Sequence, residues 1–106
     1  MRQLTATQVS EHLQNTASAP LLLDVREPHE VEICAIAGST NIPLGQIPTA
    51  WETLDSAREI VLICHHGIRS MQAGLFLEQH GFKNLINLTG GIDAWAQEVE
   101  PAMARY

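Results

Sequence analysis

The chain has 106 residues, 45% of them hydrophobic and 17% charged, and its six basic against twelve acidic side chains give a formal charge of −6. That length fits one domain over residues 1–106, and the acidity argues against nucleic acid and anionic membrane surfaces as partners. No apolar run is long enough to span a bilayer or act as an export signal, and Cys34 and Cys64 form neither a C-x-x-C pair nor a disulfide framework, so a reduced cytoplasmic protein is expected.

Thr5-Ala6-Thr7-Gln8 reads as a capping box, with Leu4 placed to staple against Val9, and predicts a helix from Ala6 to about Asn15 that buries Val9 and Leu13. The run Leu21 to Val25 predicts a strand covered on both faces, as in a parallel sheet, with Asp24 and Arg26 at its carboxyl end. Pro28 opens a helical turn to Ile33, and Gly38 and Pro43 bracket an extended piece at Asn41-Ile42. A further crossover helix is expected between Ile47 and Leu54, with Pro48 in its first turn. Glu59 to Cys64, rich in β-branched residues, predicts the central strand.

Ser70 caps or opens the next helix, whose apolar positions are Met71, Leu75, Phe76 and Leu77 and which ends at Gly81. Leu85 to Leu88 predicts another strand, and Gly90-Gly91 turns the chain into a last helix from Ile92 to about Glu98, closed by Pro101. Strands alternating with helices predict an α/β fold, with a mostly parallel sheet of about five strands and helices on both faces.

In such sheets the reactive crevice lies beyond the carboxyl ends of the strands, where Cys64 is expected. A glycine-containing turn follows it and feeds a helix amino terminus, so backbone N–H groups and the helix dipole converge on the sulfur. Such surroundings favour the thiolate, which is the nucleophile. His65, His66 and Arg69 add polar or cationic groups at the mouth. A free cysteine ending a buried strand is more often plain core; here the strand, turn, helix start and basic neighbours together favour function. Gly67 answers to both readings, because the cradle needs a turn with positive φ.

The order Cys64-x-x-Gly67-x-Arg69-Ser70, with Asp24-Val25-Arg26-Glu27 before it and Gly90-Gly91-Ile92-Asp93-Ala94-Trp95 after it, resembles the rhodanese (thiosulfate sulfurtransferase) family. Gly38-Ser39-Thr40-Asn41-Ile42-Pro43 resembles that family's G-A-x-N-I-P segment, and Val99-Glu100-Pro101 extends the likeness over nearly the whole chain. Two departures stand out. Cys34-Ala35-Ile36 replaces the family's usual Gly-His-Ile, and in the loop His66 and Arg69 stand where the two-domain members, resembling C-R-K-G-V-T, carry lysine and threonine.

The resemblance implies that Cys64 takes the outer sulfur of thiosulfate as a persulfide and passes it to cyanide or a thiol. The partners implied are a small anionic sulfur donor and a thiol or cyanide acceptor, with a protein thiol as a further candidate, and the chain is otherwise expected to be a monomer without cofactors. It places the substrate among His65, His66, Gly67, Ile68 and Arg69, with the backbone amides stabilising the sulfur anion. His65 has an equal alternative as a solvent-facing residue. Arg69 has a less favoured alternative to substrate contact, capping loop carbonyls or pairing with Asp24 or Glu27, and Asp24 and Arg26 are expected to brace the fold. A persulfide carrier that relays sulfur between proteins is the alternative function. A phosphatase-like activity is disfavoured because Cys64 to Arg69 is Cys-x4-Arg, one residue shorter than a loop that encloses phosphate. No metal is expected at Cys64, His65 and His66, since neighbouring residues rarely point to one tetrahedral centre. Cys34, Trp51 and Trp95 are expected in packing.

Overall fold

A computed structural model describes every residue from Met1 to Tyr106. In chain order the elements are β1 (Arg2–Leu4), α1 (Ala6–Asn15), β2 (Leu21–Asp24), α2 (Pro28–Ile33), β3 (Thr40–Asn41), α3 (Ile47–Ala50), β4 (Ile60–Ile63), α4 (Ile68–Gln79), β5 (Leu85–Leu88) and α5 (Gly91–Glu98). The strands form one sheet in the order β1-β5-β4-β2-β3, and every neighbouring pair is parallel. No helix is long and apolar enough to cross a membrane.

The two-residue alternation of side chains along a strand divides the core. From the central strand β4, Val61 and Ile63 join Ala6 and Val9 of α1 and Ile92 and Trp95 of α5 on one face. Ile60 and Leu62 join Ile47 of α3 and Ala73 and Leu77 of α4 on the other. Cys64, the next residue in that alternation, falls on the α4 side. All four residues of β4 are buried, as are all four of β5, which explains their near-continuous apolar runs.

Helix α1 begins as expected: Gln8 N–H donates to Thr5 Oγ1 at 3.2 Å, and Thr5 N–H donates to Gln8 Oε1 at 2.9 Å. Three expectations change. The crossover expected over Ile47 to Leu54 is helical only to Ala50, with single 3₁₀ turns at Leu44–Gln46 and Trp51–Thr53 on either side. Helix α4 starts at Ile68, two residues before Ser70, because Gly67 at φ +103° takes the N-cap position. It buries Ser70, Ala73, Gly74 and Leu77, whereas Met71 and Leu75 are 39% and 51% exposed. The buried face carries the small residues Ala73 and Gly74, and at Gly74 the side-chain ends of Met1 and Leu62 fill the space that a Cβ would take. Strand β1, with its polar Arg2 and Gln3, joins the edge through register with Ile86, Asn87 and Leu88.

Candidate active site

Strand β4 delivers Cys64 to the carboxyl edge of the sheet with its side chain buried. The next turn folds back so that Gly67 N–H donates to Cys64 Sγ at 3.0 Å. Gly67 can do this because φ is +103°, in the left-handed region that L side chains avoid, and a Cβ there would lie 3.3 Å from the Gly90 nitrogen. The amide therefore points from the start of α4 at the sulfur, where a donor and the positive end of a helix stabilise an anion.

A second group meets the sulfur. Ser70 Oγ lies 3.3 Å from Cys64 Sγ and donates its proton to Asn87 Oδ1. Asn87 Nδ2 donates to Gln3 Oε1 at 2.8 Å and to the Gly67 carbonyl at 3.3 Å. One buried side chain on β5 thus holds both groups that touch Cys64. With its proton committed to Asn87, Ser70 faces the sulfur as an acceptor for a thiol S–H. Rotation of the hydroxyl would turn it into a donor once the sulfur is an anion.

The loop is clamped from the other side by α5. Ile92 N–H donates to the Cys64 carbonyl at 2.8 Å, and Asp93 N–H donates to the His65 carbonyl at 3.2 Å. The first-turn donors of α5, which have no partners within their own helix, are satisfied by the loop. Gly91 makes the approach possible: at φ +63°, a Cβ would come within 2.3 Å of the His65 carbonyl oxygen.

Three arginines surround this loop, each bound to a carboxylate. Arg26 is fully buried; it reaches Asp24 Oδ2 at 2.7 Å, the Cys34 carbonyl at 2.8 Å and the Tyr106 hydroxyl at 2.9 Å. Burial works against its charge, but the hydrogen bonds to Asp24 and Tyr106 prevail and hold its pKa above the usual arginine value. Asp24 and Arg26 are the braces the sequence suggests, and Asn41 Nδ2 ties both their carbonyls at 2.9 and 2.8 Å. Arg69 donates through both terminal nitrogens to Glu30, at 2.6 and 2.8 Å, so its partner is neither Asp24 nor Glu27. That pairing holds the Glu30 carboxyl far below the usual carboxylate range and raises Arg69. Arg105 binds Asp93 at 2.9 Å, lowering the Asp93 carboxyl.

Of the other loop residues, Ile68 is 72% exposed beside the mouth and His66 is exposed. His65 is half-buried; its ring stacks on His66 and on Tyr106, each with centroids 3.9 Å apart. Neighbouring histidines therefore do turn to one side here. They meet Asp93, and each of the three residues has a potential ligand atom within 4.8 Å of the others. The last residue also joins the site: Tyr106 hydroxyl donates to Glu30 Oε2 at 2.8 Å, and burial raises its pKa. Cys34 packs half-buried against the α1–α5 side of the core. Trp95 is buried there, and Trp51 packs on Phe82.

Ser70, Asn87, Gln3, Glu30 and Tyr106 were not among the expected site residues. Asn87 carries a signal in its place within the apolar run Leu85 to Leu88, where a polar side chain needs a buried partner. Glu30 and Tyr106 carry none, since their roles come from contacts across the fold.

The Rhodanese-like domain family model matches residues 5–98. The chain is 44% identical over 80 residues to the putative sulfurtransferase YtwF of Bacillus subtilis, covering 76% of this chain and 77% of that protein. It is 33% identical over 104 residues to a sulfurtransferase of Allochromatium vinosum, covering 98% and 96%. A crystal structure of a rhodanese-related protein from Thermoplasma volcanium superposes with a TM-score of 0.84 at 37% identity, covering 95% and 96%. Other relatives are longer: the chain spans 30% of a chloroplastic rhodanese-like/PpiC domain-containing protein of Arabidopsis thaliana and 43% of the putative sulfur carrier protein YrkF of Bacillus subtilis.

Proposed function

This chain belongs to the rhodanese-like family, whose relatives support sulfur transfer in general, and from that premise we propose that it moves sulfane sulfur from thiosulfate to cyanide or a thiol through a persulfide on Cys64. The observation that carries the reading is the Gly67 N–H held 3.0 Å from a buried cysteine sulfur at the carboxyl edge of the sheet. An anionic sulfur there meets a donor whose direction is fixed before reaction, so little reorganisation opposes its formation.

In the first half-reaction the Cys64 thiolate, its proton released to solvent, attacks the outer sulfur of thiosulfate. A bond forms between the two sulfurs, the bond to the sulfonate group breaks, and sulfite leaves with the electron pair. In the second, cyanide or a thiolate attacks that outer sulfur and Cys64 departs as thiolate, which completes a ping-pong cycle without redox change at the protein. The sulfonate end would rest near the exposed His66 and Ile68. Arg69, bound to Glu30, shapes the loop more than it offers a free charge.

That paired arginine favours a second reading, in which a protein donor loads Cys64 and a protein acceptor unloads it, so that no free dianion has to bind. The putative sulfur carrier named among the relatives is compatible with it. Steady-state assay with thiosulfate and cyanide separates the two. Thiocyanate formation by the wild type and none by Cys64→Ser supports the small-donor reading. Absence of turnover by the wild type would remove it and leave the relay. Comparable turnover of an aryl phosphate ester would contradict the argument from loop length.

A further inference from the structure

We propose that His65, His66 and Asp93 form a binding site for a divalent transition-metal ion of the zinc class where the Cys64 loop meets α5, and that an ion held there blocks loading of the sulfur site. The blocking half rests on the persulfide reading above; the binding half does not.

The donor set is two imidazoles and a carboxylate, which suits zinc and its neighbours rather than magnesium or calcium. Each residue has a potential ligand atom within 4.8 Å of the others. Zinc bonds of about 2.0–2.2 Å in a tetrahedron place donors roughly 3.4 Å apart, so the cluster must contract by about 1.4 Å and the His66 ring must swing out of its stack on His65, because stacked rings aim their lone pairs along near-parallel planes. His66 can supply that movement, because its side chain is 61% exposed and its Nε2 already lies 4.0 Å from Asp93 Oδ2.

The backbone beneath the three donors is joined in advance. Asp93 N–H bonds the His65 carbonyl, Ile92 N–H bonds the Cys64 carbonyl, and Gly91 lets helix and loop touch. The His65 ring is fixed as well. Its Nε2 lies 2.9 Å from the Tyr106 main-chain oxygen, which can only accept, so the neutral His65 ring donates from that nitrogen and keeps a lone pair on Nδ1. A ligating histidine commonly shows this arrangement, one ring N–H anchored on a carbonyl while the other nitrogen binds metal. Three protein ligands leave a fourth position for water or for another donor.

One cation already sits on this carboxylate: Arg105 binds both Asp93 oxygens, at 2.9 and 3.3 Å. An arriving ion must share or displace it. The site therefore makes predictions of opposite sign, since loss of a ligand weakens metal binding and loss of Arg105 strengthens it.

The test is calorimetric titration of Zn²⁺ into Cys64→Ser, a background that removes the reactive thiol as a ligand and whose fold is checked by circular dichroism. One ion per chain is expected. His66→Ala or Asp93→Asn in that background weakens binding at least about tenfold, Arg105→Ala tightens it, and His29→Ala leaves it unchanged. Binding that vanishes in Cys64→Ser, or that is indifferent to His66 and Asp93, overturns the site. On the wild type, Zn²⁺ is expected to slow thiosulfate loading of Cys64, and Asp93→Asn to relieve the slowing. Zinc bound at the cluster with loading unimpeded overturns the blocking role. A wild type that never loads, with or without zinc, condemns the persulfide reading while the calorimetric result stands.

Discussion

Two neighbouring strands, β2 and β4, each end in a turn that leads into a helix, and the two corners are filled in opposite ways. After β2 the corner is packed with side-chain charge: Arg26, fully buried, binds Asp24 and the carbonyls of Glu30 and Cys34. After β4 the corner is lined by backbone, with Gly67 N–H on the sulfur and the loop carbonyls of Cys64 and His65 taken by α5. A corner closed by a satisfied ion pair has nothing left for a ligand. A corner shaped by glycines holds a directed donor beside a buried thiol, and leaves room there for the proposed chemistry.

The largest effect is expected from breaking the first corner. Arg26→Met leaves the Asp24 carboxylate buried without its partner and should cost about 3–5 kcal/mol in urea denaturation, with part of the loss recovered by adding Asp24→Asn. An unchanged unfolding midpoint would mean that the buried pair does not brace the fold.

Asn87→Leu acts on the second corner. It strips Ser70 of its acceptor and the Gly67 carbonyl of its donor, for a loss of about 1–3 kcal/mol. Because both groups touching Cys64 lose their anchor, sulfur loading should slow by about tenfold or more even where the variant is fully folded. A stability loss with unaltered loading would reduce Asn87 to a packing residue.

The smallest effect joins the two corners through Glu30 and Arg69. Arg69 holds the Glu30 carboxyl below its unfolded value, so this pair's stabilisation is complete above about pH 4.3 and is lost as the pH falls through the lower folded value. Arg69 is about a third exposed, so Glu30→Gln should cost only about 1 kcal/mol at neutral pH. The gap from wild type should narrow progressively as the pH falls below about 4.3, as measured by denaturation at each pH. A gap that persists in acid would assign the loss to packing instead.

Much of this was legible in the chain. The apolar runs at Leu21 and Ile60, the capping box at Thr5 and the Cys64-to-Arg69 spacing are local features, and local periodicity and turn chemistry specify them. Strand β1 was not, since three residues with Arg2 and Gln3 among them show no strand pattern and are ordered by pairing with β5. The partner of Arg69 was misplaced for a related reason: Glu27 and Asp24 are adjacent to the motif that suggests them, whereas the turn of α2 swings Glu30 toward the loop. Tyr106 lies 41 residues from His65 and 76 from Glu30, and no short-range pattern predicts such contacts.

The central claim is that the backbone-lined corner makes Cys64 a sulfur carrier during turnover. Intact-mass measurement after incubation with thiosulfate tests it most directly. The wild type should gain one sulfur atom that cyanide removes, and Cys64→Ser should gain none. An unmodified wild type, or an adduct that survives in Cys64→Ser, would contradict it.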